Sequence, residues 1–114
     1  MKKHLNQSIN QFNQLVKEIQ NMDITKYGDF TSFIQFVKYS IDEIDNELTN
    51  NCELYVANYE SDTYYESHEK ECDTWHELSA LVANVMFDLT SNDLSKYMNA
   101  LDYLLIVKPF DLID

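Results

Sequence analysis

Three residues of metal-ligating type, His68, Cys72 and His76, stand at successive steps of four. On a helix they would share roughly one edge, and two ligands at i and i+4 make a workable zinc geometry. The two successive steps of four drift by about 40° each, so one ion reaches two of the residues more readily than all three. Cys52 or His4 would have to complete such a site. The run from His68 to Cys72 has the outline of a zinc-protease helix, but Cys72 stands where that motif has its second His, and no supporting downstream motif follows. The plainer reading is a set of partly buried polar residues flanking Trp75. No metal and no cofactor are expected.

A second constellation is acidic. Asp62, Glu66, Glu69, Asp73 and Glu77 follow steps of four, three, four and four. If all five lie on one helix, their carboxylates recur every ~5–6 Å along one edge. Phosphates on a DNA strand recur on a comparable scale, with a rise of ~3.4 Å per nucleotide. Such a row suits a basic groove built for a nucleic-acid backbone. The row also repels itself, because like charges at i,i+4 cost a few tenths of a kcal/mol per pair. Asp42, Glu43 and Glu47 extend the acidic character upstream, and Tyr55, Tyr59, Tyr64 and Tyr65 cluster in the same region. Tyr offers apolar area and a hydroxyl at low entropic cost, which suits interfaces. An acidic helix face is commonly no more than a solvated face. The segregation of charge and the Tyr cluster favour a partner surface formed by Asp42, Glu43, Glu47, Tyr59, Asp62, Tyr65, Glu66, Glu69, Asp73 and Glu77.

The segregation is steep. Residues 1–41 hold five Lys and three acids, residues 42–77 hold twelve acids and one Lys, and residues 78–114 hold five acids and two Lys. The net charge of -12 therefore lies almost wholly in the middle third. All eight basic residues are Lys. Arg is the group best suited to bidentate phosphate recognition, so its absence argues against direct nucleic-acid binding. No nucleophile-base arrangement has a supporting local context. A single Gly cannot build a phosphate loop. The expectation is that the chain is not an enzyme.

Amphipathic helices would position these residues. Gly28 and Pro109 are the only Gly and Pro in 114 residues, which disfavours turn-rich β folds. Leu5, Ile9, Phe12, Leu15, Val16, Ile19 and Met22 form one stripe, beside a polar face rich in Gln and Asn. A turn at 23–29 precedes a second stripe, with Asp29 as its N-cap: Phe30, Phe33, Ile34, Val37, Ile41, Ile44 and Leu48. Residues 49–61 read as helix or as a short strand near 52–59. One long helix is expected over 62–89, with Tyr64, His68, Trp75, Leu78, Val82, Val85, Met86 and Leu89 inward, and with Glu71 as the acid nearest that apolar side. Thr90 to Asp93 resembles a capping box with Thr90 as the cap. The last helix carries Leu94, Tyr97, Met98, Leu101, Leu104, Leu105 and Val107 before Pro109 ends it. The tail from Phe110 is apolar enough to fold back onto the body.

These elements predict an all-α compact bundle of four to five helices, forming one domain over 1–114. Two cysteines are too few for a disulfide framework, and neither a leader nor a membrane span is apparent, so a cytoplasmic protein is expected. In composition the chain is similar to phage anti-defence proteins, the anti-CRISPR and antirestriction DNA mimics, which are short, acidic, Tyr-rich and poor in Arg. That likeness implies an inhibitor that occludes a basic protein partner, a nuclease or another nucleic-acid-binding protein, with no membrane partner. An immunity protein or antitoxin that neutralises a cognate toxin would use the same chemistry. A metal-binding regulatory bundle is a second alternative, and a homodimer through a leftover apolar stripe stays open.

Overall fold

The apolar stripes expected for the first two helices are faces that the protein buries. The computed structural model describes residues 2–21, 30–50, 68–91 and 93–113. Helix α1, Lys2–Asn21, buries Leu5, Ile9, Phe12, Leu15, Val16 and Ile19. Helix α2, Phe30–Asn50, buries Phe33, Ile34, Val37, Ile41, Ile44 and Leu48. Among the described residues neither helix has an acid in its first turn or a base in its last to complement its dipole. Their stability comes from burial, at roughly 1.5–3 kcal/mol for each large apolar side chain removed from water. Met22 and the turn at 23–29 lie outside the described residues, as does the segment around 52–59 where a strand was considered.

Helix α3 spans Glu69–Thr90 and buries Cys72, Trp75, Leu78, Val82, Val85 and Leu89. Its start differs from the expected continuous helix over 62–89. His68, at φ -132° and ψ 32°, has left helical geometry and serves as the N-cap, and its carbonyl accepts the first helical bond from Cys72 N–H at 3.0 Å. Glu69 and Glu71 fall in the first turn, where negative charge meets the positive end of the dipole.

Helix α4, Leu94–Ile106, is capped by Asp93 rather than Thr90. The Asp93 Oδ1 accepts from Ser95 N–H at 2.9 Å and from Ser95 Oγ at 2.7 Å. Thr90 belongs to the end of α3, where its hydroxyl donates to the Phe87 carbonyl at 3.1 Å. The expected α4 stripe is split. Ala100, Leu101 and Leu104 enter the core, whereas Leu94, Met98 and Leu105 remain exposed. Those three lie on a neighbouring flank of the helix, which turns its 100–101–104 side inward instead. Lys96 Nζ sits 4.9 Å from the Phe87 ring centroid and pins the first turn of α4 to the end of α3 by a cation–π contact.

In the bundle, α2 packs on both α1 and α3, and α4 packs on both α3 and α1; α1 and α3 also meet across the middle. One continuous apolar core draws on all four helices and on Ile113. Beyond α4 the chain turns back along α1 in the opposite direction. Gln20 Nε2 donates to the carbonyls of Leu104 and Val107, each at 3.2 Å. Asn13 exchanges two bonds with the main chain of Phe110, and Asn6 exchanges two with that of Ile113, all four between 2.8 and 2.9 Å. The Phe110 ring meets Phe12 edge-on at 5.6 Å.

Candidate protein-interaction surface

The acidic surface is built on the outer side of α3. Because α3 turns Cys72, Trp75, Leu78 and Val82 inward, the helical period places Glu69, Asp73 and Glu77 outward, and all three are exposed. Eight steps along the helix at ~1.5 Å each make this a strip of ~12 Å. Beyond Glu77 the exposed outward residues are uncharged, namely Ala80, Ala83, Asn84 and Phe87, and Asp88 on the same side is half-buried.

The described part of the strip is shorter than the sequence pattern implies. Asp62 and Glu66 lie outside the described residues, as do Tyr59 and Tyr65. Among the described residues, the row on one helix edge is Glu69, Asp73 and Glu77. The strip also has two basic neighbours, one of them distant in sequence. Lys70, Thr74 and Glu77 of α3 line one groove with Lys108, Pro109, Phe110 and Asp111 of the tail. The sequence places Lys70 among the acids, and the fold adds Lys108.

The α2 acids do not form a single row either. Asp42 is half-buried in the groove between α2 and α3, with Gln35, Lys38, Tyr39 and Met86. Glu43 is exposed on the opposite flank, in the groove shared with Gln11, Gln14 and Glu18 of α1. Glu47 is half-buried. Adjacent residues on a helix point about 100° apart, so Asp42 and Glu43 serve different flanks. The α2 acids are thus distributed around the bundle, and among the described residues only the α3 strip gathers three on one exposed side.

The candidate metal residues are not assembled. His68 is half-buried at the N-cap, Cys72 is fully buried, and His76 is exposed. Burial, and then the neighbouring Glu71 and Asp73 carboxylates, push the Cys72 thiol above its ordinary range, which disfavours the thiolate that zinc requires. Among the described residues no group of three or more His, Cys, Asp or Glu side chains is placed to hold a metal ion. Also among the described residues, no helix is long and apolar enough to cross a membrane.

Sequence reading missed the amides of α1. Asn6, Asn13 and Gln20 recur every seven residues, beside an apolar stripe and facing a tail with Val107, Phe110 and Ile113 at every third position. That pairing of periods was the available signal. The fold class is all-α, and the described residues form a bundle of four helices with a returning tail. No family model, no curated protein and no solved structure matches the chain.

Proposed function

We propose that the chain is an acidic protein-binding inhibitor that occludes the nucleic-acid site of a basic partner, in the manner of phage anti-defence proteins. The observation that carries this reading is the exposed strip Glu69, Asp73 and Glu77 on α3, within a segment of twelve acids and one Lys. A sequence shaped only for stability would interleave Lys with these carboxylates. Concentrated negative charge raises encounter rates with a basic protein and makes capture salt-dependent. The absence of Arg leaves the chain ill suited to contacting nucleic acid itself. Tyr59 and Tyr65, with Asp62 and Glu66, are proposed to extend the surface, and Asp42, Glu43 and Glu47 to contribute charge at its margins.

The test replaces Glu69, Asp73 and Glu77 together by Ser. The expected result is loss of capture of a basic nucleic-acid-binding protein from the native host, with helicity unchanged. Capture of that protein with undiminished affinity by the triple variant would reject the proposal.

A further inference from the structure

The exposed flank of α4 has a symmetric spacing. Leu94, Met98, Leu101 and Leu105 follow steps of four, three and four. At ~100° and ~1.5 Å per residue they fall within about 60° of one another, along a stripe of ~16 Å. The spacing reads the same from either end, about a midpoint between Asn99 and Ala100. Leu101 is buried at the floor of the stripe, whereas Leu94, Met98 and Leu105 are 61%, 42% and 41% exposed. Those three present on the order of 300 Å² of apolar surface, the size at which a patch on a monomer is often functional.

The charge pattern narrows what covers this stripe. Leu94–Ile106 carries one Lys and one acid, Lys96 and Asp102, in a chain of net charge -12. Lys96 lies away from the stripe, over the Phe87 ring. A strongly charged partner finds nothing to match here, whereas a second copy finds the same apolar stripe. The acids of a second copy also stay at a distance. Helix α4 packs on the C-terminal half of α3, where Ala100 and Tyr103 share a groove with Leu81, Val85 and Asp88. The acidic strip ends at Glu77, eight residues or ~12 Å before Val85. An antiparallel pairing of two α4 helices sends the two strips to opposite ends, well beyond the Debye length of ~8 Å at physiological salt.

We infer that the Leu94, Met98 and Leu105 flank of α4 is a self-association face through which two copies of this chain pair as an antiparallel two-fold dimer. A two-fold interface is self-complementary: residue i of one copy meets j of the other, and j meets i. With the axis at the midpoint of the stripe, Leu94 of each copy meets Leu105 of the other, and Met98 lies over Leu101 of the other. Asp102 then falls near Ser95 of the second copy rather than near another acid. The stripe is smaller than the ~800 Å² per partner of a standard interface, so the dimer is weak, with a dissociation constant on the order of 10 μM. The face is separate from the α3 acidic strip and does not depend on the function proposed for it.

The experiment is sedimentation velocity of the full chain over about 1–500 μM, which brackets that constant. The expected result is a reversible monomer–dimer equilibrium. Met98→Glu, with circular dichroism confirming the helices, is expected to weaken it at least tenfold, and Tyr103→Ser on the opposite flank to change it less than twofold. Because apolar burial holds the pair, added salt is expected to strengthen it or leave it unchanged. A monomer throughout the range, a dimer indifferent to Met98→Glu or equally weakened by Tyr103→Ser, or a dimer that salt dissolves overturns the inference. Cysteine cross-linking reads the register with nearly neutral changes in size. A mixture of Leu94→Cys and Leu105→Cys chains is expected to form a disulfide between the two positions on oxidation. Each variant alone is expected to stay unlinked, because like positions lie ~16 Å apart in this register. Cross-linking of Leu94→Cys to itself as readily as in the mixture equally overturns the inference.

Discussion

Helices α1 and α3 are both apolar on one side and polar on the other, yet they use their polar residues in opposite ways. On α1, Asn6, Asn13 and Gln20 turn toward the chain itself and hold the main chain of residues 104–113. On α3, Glu69, Asp73 and Glu77 turn toward solvent. The difference follows from chemistry. An amide carries both donor and acceptor, so one side chain satisfies the N–H and the C=O of a single residue. A carboxylate only accepts, and its burial is costly without a cation. Amides suit contacts within the fold, whereas exposed carboxylates suit the partner surface proposed above.

The contrast is open to attack at both ends. The largest effect is expected where the α1 core meets the tail. Phe12→Ala removes a fully buried ring and the edge contact to Phe110, and should cost about 3–5 kcal/mol in denaturant unfolding. Asn13→Ala leaves the Phe110 N–H and C=O without their partner. It should cost about 1–3 kcal/mol and raise amide exchange at Phe110 while leaving the α3 interior protected. Removing charge from α3 should do far less to stability. Glu69→Ser, Asp73→Ser and Glu77→Ser together should shift unfolding by no more than about 0.5 kcal/mol, because relief of i,i+4 repulsion opposes the loss of Glu69 from the first turn. A large destabilisation would give these carboxylates an internal role and erase the distinction.

Two smaller effects concern single groups. Hydrogen bonds from the Ser95 side chain and backbone hold the Asp93 carboxyl below its usual range. A lowered folded value means that the cap contribution is complete above the unfolded carboxyl range and fades as pH falls through the folded value. Asp93→Asn keeps an acceptor at the cap and should flatten this acid dependence of α4, as read from helicity between neutral and acid pH. Cys72, buried with its thiol pushed up, should resist alkylation in the folded protein and react only on unfolding, as followed by mass spectrometry.

Most of the fold was legible because burial follows helical period. The stripes of α1 and α2 enter the core residue by residue, from Leu5 to Ile19 and from Phe33 to Leu48. Boundaries were less legible, since they depend on single conformations. His68 stands at the N-cap of α3 outside helical geometry, and Asp93 takes the cap that the Thr90 pattern suggested. The inward side of α4 depended on how α3 and α1 hold it, which the apolar pattern of 94–107 alone does not encode. At the candidate surface, the outward direction of Glu69, Asp73 and Glu77 was readable from the period of α3. The approach of Lys108 to Lys70 and Glu77 was not, because it follows from the tail's return. The α1 amides were visible as a polar face, but their use required knowing that a tail with a three-residue period lies against them.

The central claim is that the acidic strip of α3 binds a basic protein at its nucleic-acid site. The most direct measurement is competition. The immobilised chain captures its partner from the native host at low salt, and duplex DNA is then titrated against the complex. The account predicts that DNA and the chain exclude one another on the captured protein, that added salt weakens the complex steeply, and that the Glu69→Ser, Asp73→Ser, Glu77→Ser variant captures nothing. A partner that binds DNA and the chain together, or that the variant holds as tightly, would contradict it.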